Sequence, residues 1–257
     1  PPPRSTRVGI RRQRQMCIRD RHHRCYAAHG AHVAIFDMND ARGNAIAEEL
    51  GDRVIYQNVN VTDEDTVIAA LNATIEAFGA VHICNNFAGI GDAAKTVSRG
   101  EPLALDKFKR VIDVNLIGTF NVARLVAAQM AKQEPVNDDG GRGVIINTAS
   151  VAAYEGQIGQ VAYSASKGAI VGMTLTMARD LASLGIRVNT IVPGLIHTPL
   201  FESLPEEAYK SLEAQALYPK RLGKADEIAH LSQYIAENDY TNGESIRMDA
   251  GIRMQPR

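Results

Sequence analysis

From about residue 31 onward, the chain of 257 residues alternates short β-branched runs with longer amphipathic stretches, and no other feature restricts its fold as much. Strands separated by helix-length segments cannot close as tight hairpins; they build βαβ units and a parallel sheet. Strand candidates are "HVAIFD" ending at Asp37, "RVIYQNV" from Arg53, "VHICNN" from Val81, "GVIINTAS" from Gly143, "RVNTIVPG" from Arg187 and "ESIRMD" from Glu244. They are apolar except near their ends, as for strands covered on both faces. Helical periodicity falls at residues 39–50, 62–79, 104–133, 163–184 and 224–237. Thr62, followed by Asp65, marks a weak capping box at the start of the second. Two polar, glycine-containing stretches, "GDAAKTVSRGEPLALD" near residue 91 and "KQEPVNDDGGRG" near 132, are expected as surface loops. The fold class expected is α/β: one doubly wound parallel sheet flanked by helices, in a chain long enough to bury about three quarters of its unfolded surface.

Composition narrows the function classes. The chain is 45% hydrophobic and 22% charged, and no apolar run approaches the roughly 18 residues that argue for a membrane span, so no membrane partner is expected. Cys17, Cys25 and Cys84 form no paired framework, as in thiols kept reduced in a cytoplasm or a mitochondrial matrix. The net charge of -1 conceals an asymmetry: residues 1–24 hold eight arginines and one acid, Asp20, whereas the rest of the chain is acidic.

Candidate chemistry gathers after the fourth strand. Ser150 follows "GVIINTAS", Tyr163 opens "YSASK" thirteen residues later, and Lys167 stands four further on. On one helix, that i, i+4 spacing puts Tyr163 and Lys167 on a common face. A phenol titrating near 10 is a poor base at neutral pH, but a neighbouring ammonium favours its ionised form, and Tyr163 could then exchange a proton with an alcohol or ketone. The pair alone is weak, since a chain with eight tyrosines offers such a spacing by chance. Its surroundings add weight: "NNFAG" (85–89) after one strand, "VNLIGT" with Asn115 in the long helix, and "PGLIHT" (193–198) after another.

In that order these residues resemble the short-chain dehydrogenase/reductase family, from about Cys25 to the C-terminus. The similarity is closest over "RGVIINTASVAAYEGQIGQVAYSASKGAIVGMTL", "GIRVNTIVPGL" and "DAGIRMQP", which look like the family's 3-hydroxyacyl-CoA dehydrogenase branch. The resemblance implies a Rossmann-like domain of about seven parallel strands over residues 24–257. It also implies NAD as cofactor and an acyl-CoA or other secondary alcohol as substrate. Helices 104–133 and 163–184 would form an interface of a homotetramer. Tyr163 would be the catalytic acid/base, with Ser150 holding the substrate oxygen. Lys167 would lower the Tyr163 pKa and bind the nicotinamide ribose, and Asn115 would anchor a proton relay. Gln157 would line the substrate side. Asn60, Val61, Asn86, Phe87, Ala88, Gly89, Pro193, Gly194, Ile196 and Thr198 would contact the dinucleotide together with Asp37.

Asp37 has two readings: a ribose acceptor that repels a 2'-phosphate and so favours NAD over NADP, or the N-cap of the helix that follows. Asn60 replaces the family's usual Asp beside Val61, and Phe87 stands where a smaller residue is usual and is expected to crowd the nucleotide. His197 reads as a loop side chain beside the cleft rather than a second base. His22, His23, Cys25 and His29 match no zinc spacing, and no metal is expected.

The first 23 residues do not fit. Family members begin with a buried apolar strand and a Thr-Gly-x-x-x-Gly-x-Gly turn; counted back from Asp37, the glycine places hold Gln13, Cys17 and Arg19. Glycine is needed there because the backbone turns tightly against the phosphates at a helix N-terminus. "RVGIRRQRQ" offers only Val8 and Ile10 for burial where a central strand is required. A mitochondrial leader would precede the first strand rather than replace it, and a nucleic-acid arm lacks interleaved aromatics, so no nucleic-acid partner is expected. A nucleotide-free binding or scaffold protein of the same fold is an alternative. The reading that leaves least unexplained is a segment foreign to the gene, "RQMCIRDR" looking like translated sequencing adapter.

Overall fold

The computed structural model describes residues 18–198 and 206–256. The chain enters on α1 (Ile18–Ala28) and continues through β1 (Val33–Asp37), α2 (Asp40–Leu50), β2 (Val54–Asn58), α3 (Glu64–Phe78) and β3 (Ile83–Asn86). A hairpin, β4 (Val97–Ser98) with β5 (Glu101–Pro102), leads to α4 (Leu105–Ile112), a π turn (Asp113–Ile117) and α5 (Gly118–Met130). Then come β6 (Gly143–Thr148), a 3-10 turn (Val151–Ala153), α6 (Val161–Ala182), β7 (Ile186–Pro193), α7 (Glu206–Gln215), α8 (Ala225–Glu237) and β8 (Ser245–Met248).

The six longer strands all pair in parallel, as the alternating rhythm requires. They do not form one sheet. β1 pairs with β2, and β3, β6, β7 and β8 follow one another in a second sheet; among the described residues no strand bonds β1 to β3. The expected first strand would lie between them, and its residues precede Ile18, outside the described residues. So do two of the three expected glycine places, Gln13 and Cys17, while Arg19 lies within α1. α1 runs across residue 23, where the sequence placed a boundary, and buries His22 and Asp20.

Two local expectations change. α3 is capped by Asp63, whose carboxylate accepts from the amides of Asp65 and Thr66 at 3.0 and 3.3 Å, because Thr62 is engaged with the Asn60 side chain instead. The expected loop near residue 91 contains the β4–β5 hairpin, turned through Arg99 and Gly100 at φ 53° and 84°.

Helices cover both faces. Val67, Leu71, Val126, Met130, Ile145 and Val188 join α3 and α5 to one face of the larger sheet. Val144, Ile146, Ile191, Ile228 and Ile235 seat α8 on the other. A smaller cluster of Ala27, Ile35, Ile46 and Val54 holds α1 and α2 to the two-stranded sheet. The stretch Leu105–Met130 is long and apolar enough to cross a membrane by composition, but half of it is buried within the fold, where its apolar residues serve the core.

Candidate active site

Ser150 lies just beyond β6, in extended backbone at φ -168°, and its hydroxyl caps the 3-10 turn by accepting from Ala152 N–H at 3.2 Å. The turn reverses the chain into α6, which presents Tyr163 and Lys167 on one face. The Ser150 side chain lies near enough to the Tyr163 phenol to draw its pKa down. The Lys167 Nζ stands 5.7 Å from the centroid of the Tyr163 ring and donates to the Thr148 carbonyl at 2.7 Å. Serine, tyrosine and lysine therefore meet where the sequence placed them.

Their ionisation is set chiefly by burial. Desolvation brings the Lys167 ammonium down to about 8. It raises the Tyr163 phenol, with the Ser150 hydrogen bond pulling the opposite way. The expected lowering of Tyr163 by Lys167 is not what the chain alone produces: the ammonium faces the ring and is spent on the Thr148 carbonyl, and desolvation of the phenol dominates.

Asn115 is fully buried in the π turn between α4 and α5. Its Oδ1 accepts from Ile90 N–H at 2.8 Å, and its Nδ2 donates to the Ile90 carbonyl and the Ser166 hydroxyl at 2.9 and 3.0 Å. Ser166 in turn donates to the Tyr163 carbonyl at 2.7 Å. A methyl group on Gly89 would lie 3.3 Å from Asn115 Oδ1 and 3.6 Å from Lys167 Nζ, so this glycine lets "NNFAG" run close beside Asn115 and Lys167.

Asp37, at the end of β1, is not the cap of α2. Asn39 caps it, accepting from Arg42 N–H at 3.0 Å, while one Asp37 oxygen accepts from Asn39 N–H. Asn60 turns its side-chain oxygen to Thr62, and Val61 packs into the core and lies against Gly118. Asn86 donates to Asn147 at 3.0 Å, both buried. Phe87 does not stand free: its ring packs 4.1 Å from that of His22 and against the apolar cluster under α8. Ala88 follows in the same loop. Pro193 ends β7; the Gly194 amide bonds the Met248 carbonyl, and a side chain at Gly194 would strike Asp249 at 2.7 Å. Ile196 is buried and bridges to Gly223, and Thr198 is the last described residue before a gap. His197 contacts the Tyr209 hydroxyl of α7 at 2.9 Å. Gln157 donates to the Gln255 carbonyl at 3.0 Å. Among the described residues no group of three or more His, Cys, Asp or Glu side chains is placed to hold a metal.

Sequence reasoning missed Ser166, Ile90 and Thr148, which hold Asn115 and Lys167. Two of them act through main-chain carbonyls, which leave no trace in residue type. The donor set offers a dinucleotide a carboxylate at Asp37 and an ammonium at Lys167 beside the close approach at Gly89, whereas Gln13, Cys17 and Arg19 lack the backbone freedom that a pyrophosphate turn needs.

The model of the enoyl-(acyl carrier protein) reductase family of short-chain enzymes matches residues 23–253. The chain belongs to the short-chain dehydrogenase/reductase family. As a short-chain dehydrogenase/reductase it is an oxidoreductase, and its relatives agree. It is 54% identical over 230 residues to human 3-hydroxyacyl-CoA dehydrogenase type-2, covering 88% of this chain and 87% of that protein. It is 50% identical over 232 residues to the Drosophila melanogaster protein of the same name, covering 90% and 91%. The crystal structure of 3-hydroxyacyl-CoA dehydrogenase type-2 from Mycobacterium avium superimposes with a TM-score of 0.91 at 44% identity, over 94% of this chain and 93% of that one.

Proposed function

We propose that this short-chain dehydrogenase/reductase interconverts 3-hydroxyacyl-CoA and 3-oxoacyl-CoA with NAD, using Tyr163 as general acid/base. The observation that carries the reading is the grouping at the head of α6, where Lys167 Nζ stands 5.7 Å from the centroid of the Tyr163 ring and Ser150 caps the turn that leads into the helix. The substrate class is the one for which the human, Drosophila and Mycobacterium relatives above are named.

Tyr163 exchanges the proton of the substrate oxygen, and Ser150, on the turn before α6, holds that oxygen. Lys167, with its pKa near 8, is largely cationic at neutral pH and favours the phenolate once the phenol loses its proton. Asn115, fixed by Ile90 and Ser166, holds the floor of the site beneath Tyr163. Bound NAD would supply the hydride acceptor; Asp37 would hold its adenosine ribose and Lys167 its nicotinamide ribose, with Gly89, Pro193, Gly194, Ile196 and Thr198 along the groove. The carboxylate of Asp37 makes NAD rather than NADP the partner.

Several exposed apolar side chains lie on the helices expected at an interface: Leu105, Ile117 and Phe120 on α4, the π turn and α5, and Val161 and Leu175 on α6. They support a homotetramer, which sedimentation velocity would read directly. Cys25 and Cys84 are free thiols, in keeping with a reducing compartment, cytoplasm or mitochondrial matrix.

The test is Tyr163→Phe, in a version whose first 23 residues are replaced by an apolar strand and glycine turn. It deletes one oxygen and should lower turnover about 10² to 10⁴-fold with the fold intact; activity within about threefold of the parent overturns the assignment. A second reading, a binding or scaffold protein without nucleotide, is favoured by the glycine places. Under that reading the parent itself shows no turnover.

A further inference from the structure

Residues 252–256 lie along the loop that carries Ser150 and Gln157. The Ile158 amide donates to the Pro256 carbonyl at 3.0 Å, Gln157 Nε2 to the Gln255 carbonyl at 3.0 Å, and the Met254 amide to Glu155 Oε2 at 3.2 Å. Glu155 also receives both arms of the Arg247 guanidinium at 2.8 and 3.1 Å, with Arg253 Nε at 3.5 Å. Arg247, at the end of β8, donates further to Asp249 at 2.7 Å and to the Ile252 carbonyl at 3.0 Å, and its guanidinium lies 5.4 Å over the Tyr154 ring. One carboxylate therefore joins a strand end, the C-terminal tail and the loop. The Glu155 amide bonds the Val151 carbonyl at 2.9 Å, immediately after Ser150, so the same residue reaches the catalytic serine through one turn of backbone.

We propose that Glu155 is a positioning residue for the substrate side of the site: it clips the tail to the loop Ser150–Gln160 and thereby fixes Gln157 and the approach to Tyr163. This rests on the reading of the site given above. Two features separate it from a core ion pair. Glu155 and Arg247 are partly solvent-facing, with side chains 21% and 24% exposed, and belong to none of the buried apolar clusters. The segments they join are 92 residues apart and meet beside a catalytic group. The bidentate fork of Arg247 sets the carboxylate's orientation as well as its charge, and it holds the Glu155 carboxyl below the usual range. Nothing in this arrangement touches the reacting atoms. Its effect on the reaction is to order the surface on which the substrate is received, so it governs KM rather than kcat.

Glu155→Gln keeps the shape and removes the charge, and Arg247→Lys keeps the charge and removes the fork. In the full chain, amide hydrogen exchange on Glu155→Gln should accelerate about tenfold at Ile158 and Met254 and stay within about twofold at Val188 and Ile191 in β7. In the version whose first 23 residues are replaced by an apolar strand and glycine turn, KM for 3-hydroxybutyryl-CoA should rise about tenfold with kcat within about twofold, and Arg247→Lys should move both readouts the same way. Unchanged exchange at Ile158 and Met254 overturns the proposal, as does a fall in kcat at constant KM. If the version with the glycine turn turns over no 3-hydroxyacyl-CoA, the proposed reaction falls instead, and faster exchange in Glu155→Gln still upholds the clip.

Discussion

Lys167 holds a buried ammonium, and the cost is visible in its pKa, brought down to about 8 from the ordinary 10.5. Below pH 8 it is charged in both folded and unfolded states, and the fold bears the whole desolvation cost. Between about 8 and 10.5 the folded state has released the proton while the unfolded state keeps it, so stability rises with pH. Urea midpoints of the parent should therefore gain on those of Lys167→Met by about 1–3 kcal/mol from pH 8 to 10; a constant difference would show that the ammonium is better solvated than its surroundings imply. Asp37 is a second test at this scale. Since Asn39 caps α2, Asp37→Ala should leave stability nearly unchanged. In a version with a glycine turn it should weaken NADH binding about tenfold to a hundredfold and narrow the preference over NADPH. A calorimetric titration in which both coenzymes bind as before would return Asp37 to a purely local role.

Gly43 shows how one element seats another. A methyl group there would lie 2.1 Å from the Tyr56 ring of β2, and Tyr56 donates its hydroxyl to the Asp37 carbonyl and the Asp40 carboxylate at 2.8 Å each. Gly43→Ala improves helix propensity by about 1 kcal/mol, yet overpacking costs about 1–3 kcal/mol, so net destabilisation is expected in thermal melts, with Asp37 displaced as Tyr56 moves. The sequence could not disclose such a contact, although it disclosed the elements themselves. All six parallel strands lie where short apolar runs stood, and the two buried over most of their length, β6 and β7, have the longest such runs. α1 and α7 were not foreseen. "IRDRHHRCYAA" and "EEAYKSLEAQ" are too polar to show an apolar stripe, and only tertiary contacts, such as Tyr26 with Ser232 at 3.0 Å, explain the seat of the first. Ser150, Tyr163 and Lys167 were legible because spacing along a strand, turn and helix fixes their meeting. The direction of the Tyr163 shift was not, since burial is a property of the assembled fold.

For the whole molecule, the proposed catalytic residues accompany a sequence with no glycine at the three places expected to meet the phosphates. Losing two or three charge-assisted hydrogen bonds at about 1.5–3 kcal/mol each lowers affinity by roughly two to six decades. NADH titration of the full chain should therefore give millimolar or weaker binding, and micromolar binding once an apolar strand and glycine turn replace residues 1–23. Micromolar binding by the unaltered chain would mean that the arginine-rich segment is itself a working nucleotide site. The division of the strands into two sheets bears on more than the ligand. Main-chain ladders transmit unfolding along a sheet, but among the described residues β1 and β2 meet the larger sheet through side chains, Phe36 and Val59 packing into the cluster under α3 and α5. Heat should then be absorbed in two overlapping transitions, with a calorimetric enthalpy larger than the van't Hoff value. A dinucleotide spanning both sheets would draw the two transitions together, because each sheet would then melt only at the expense of a ligand held by the other.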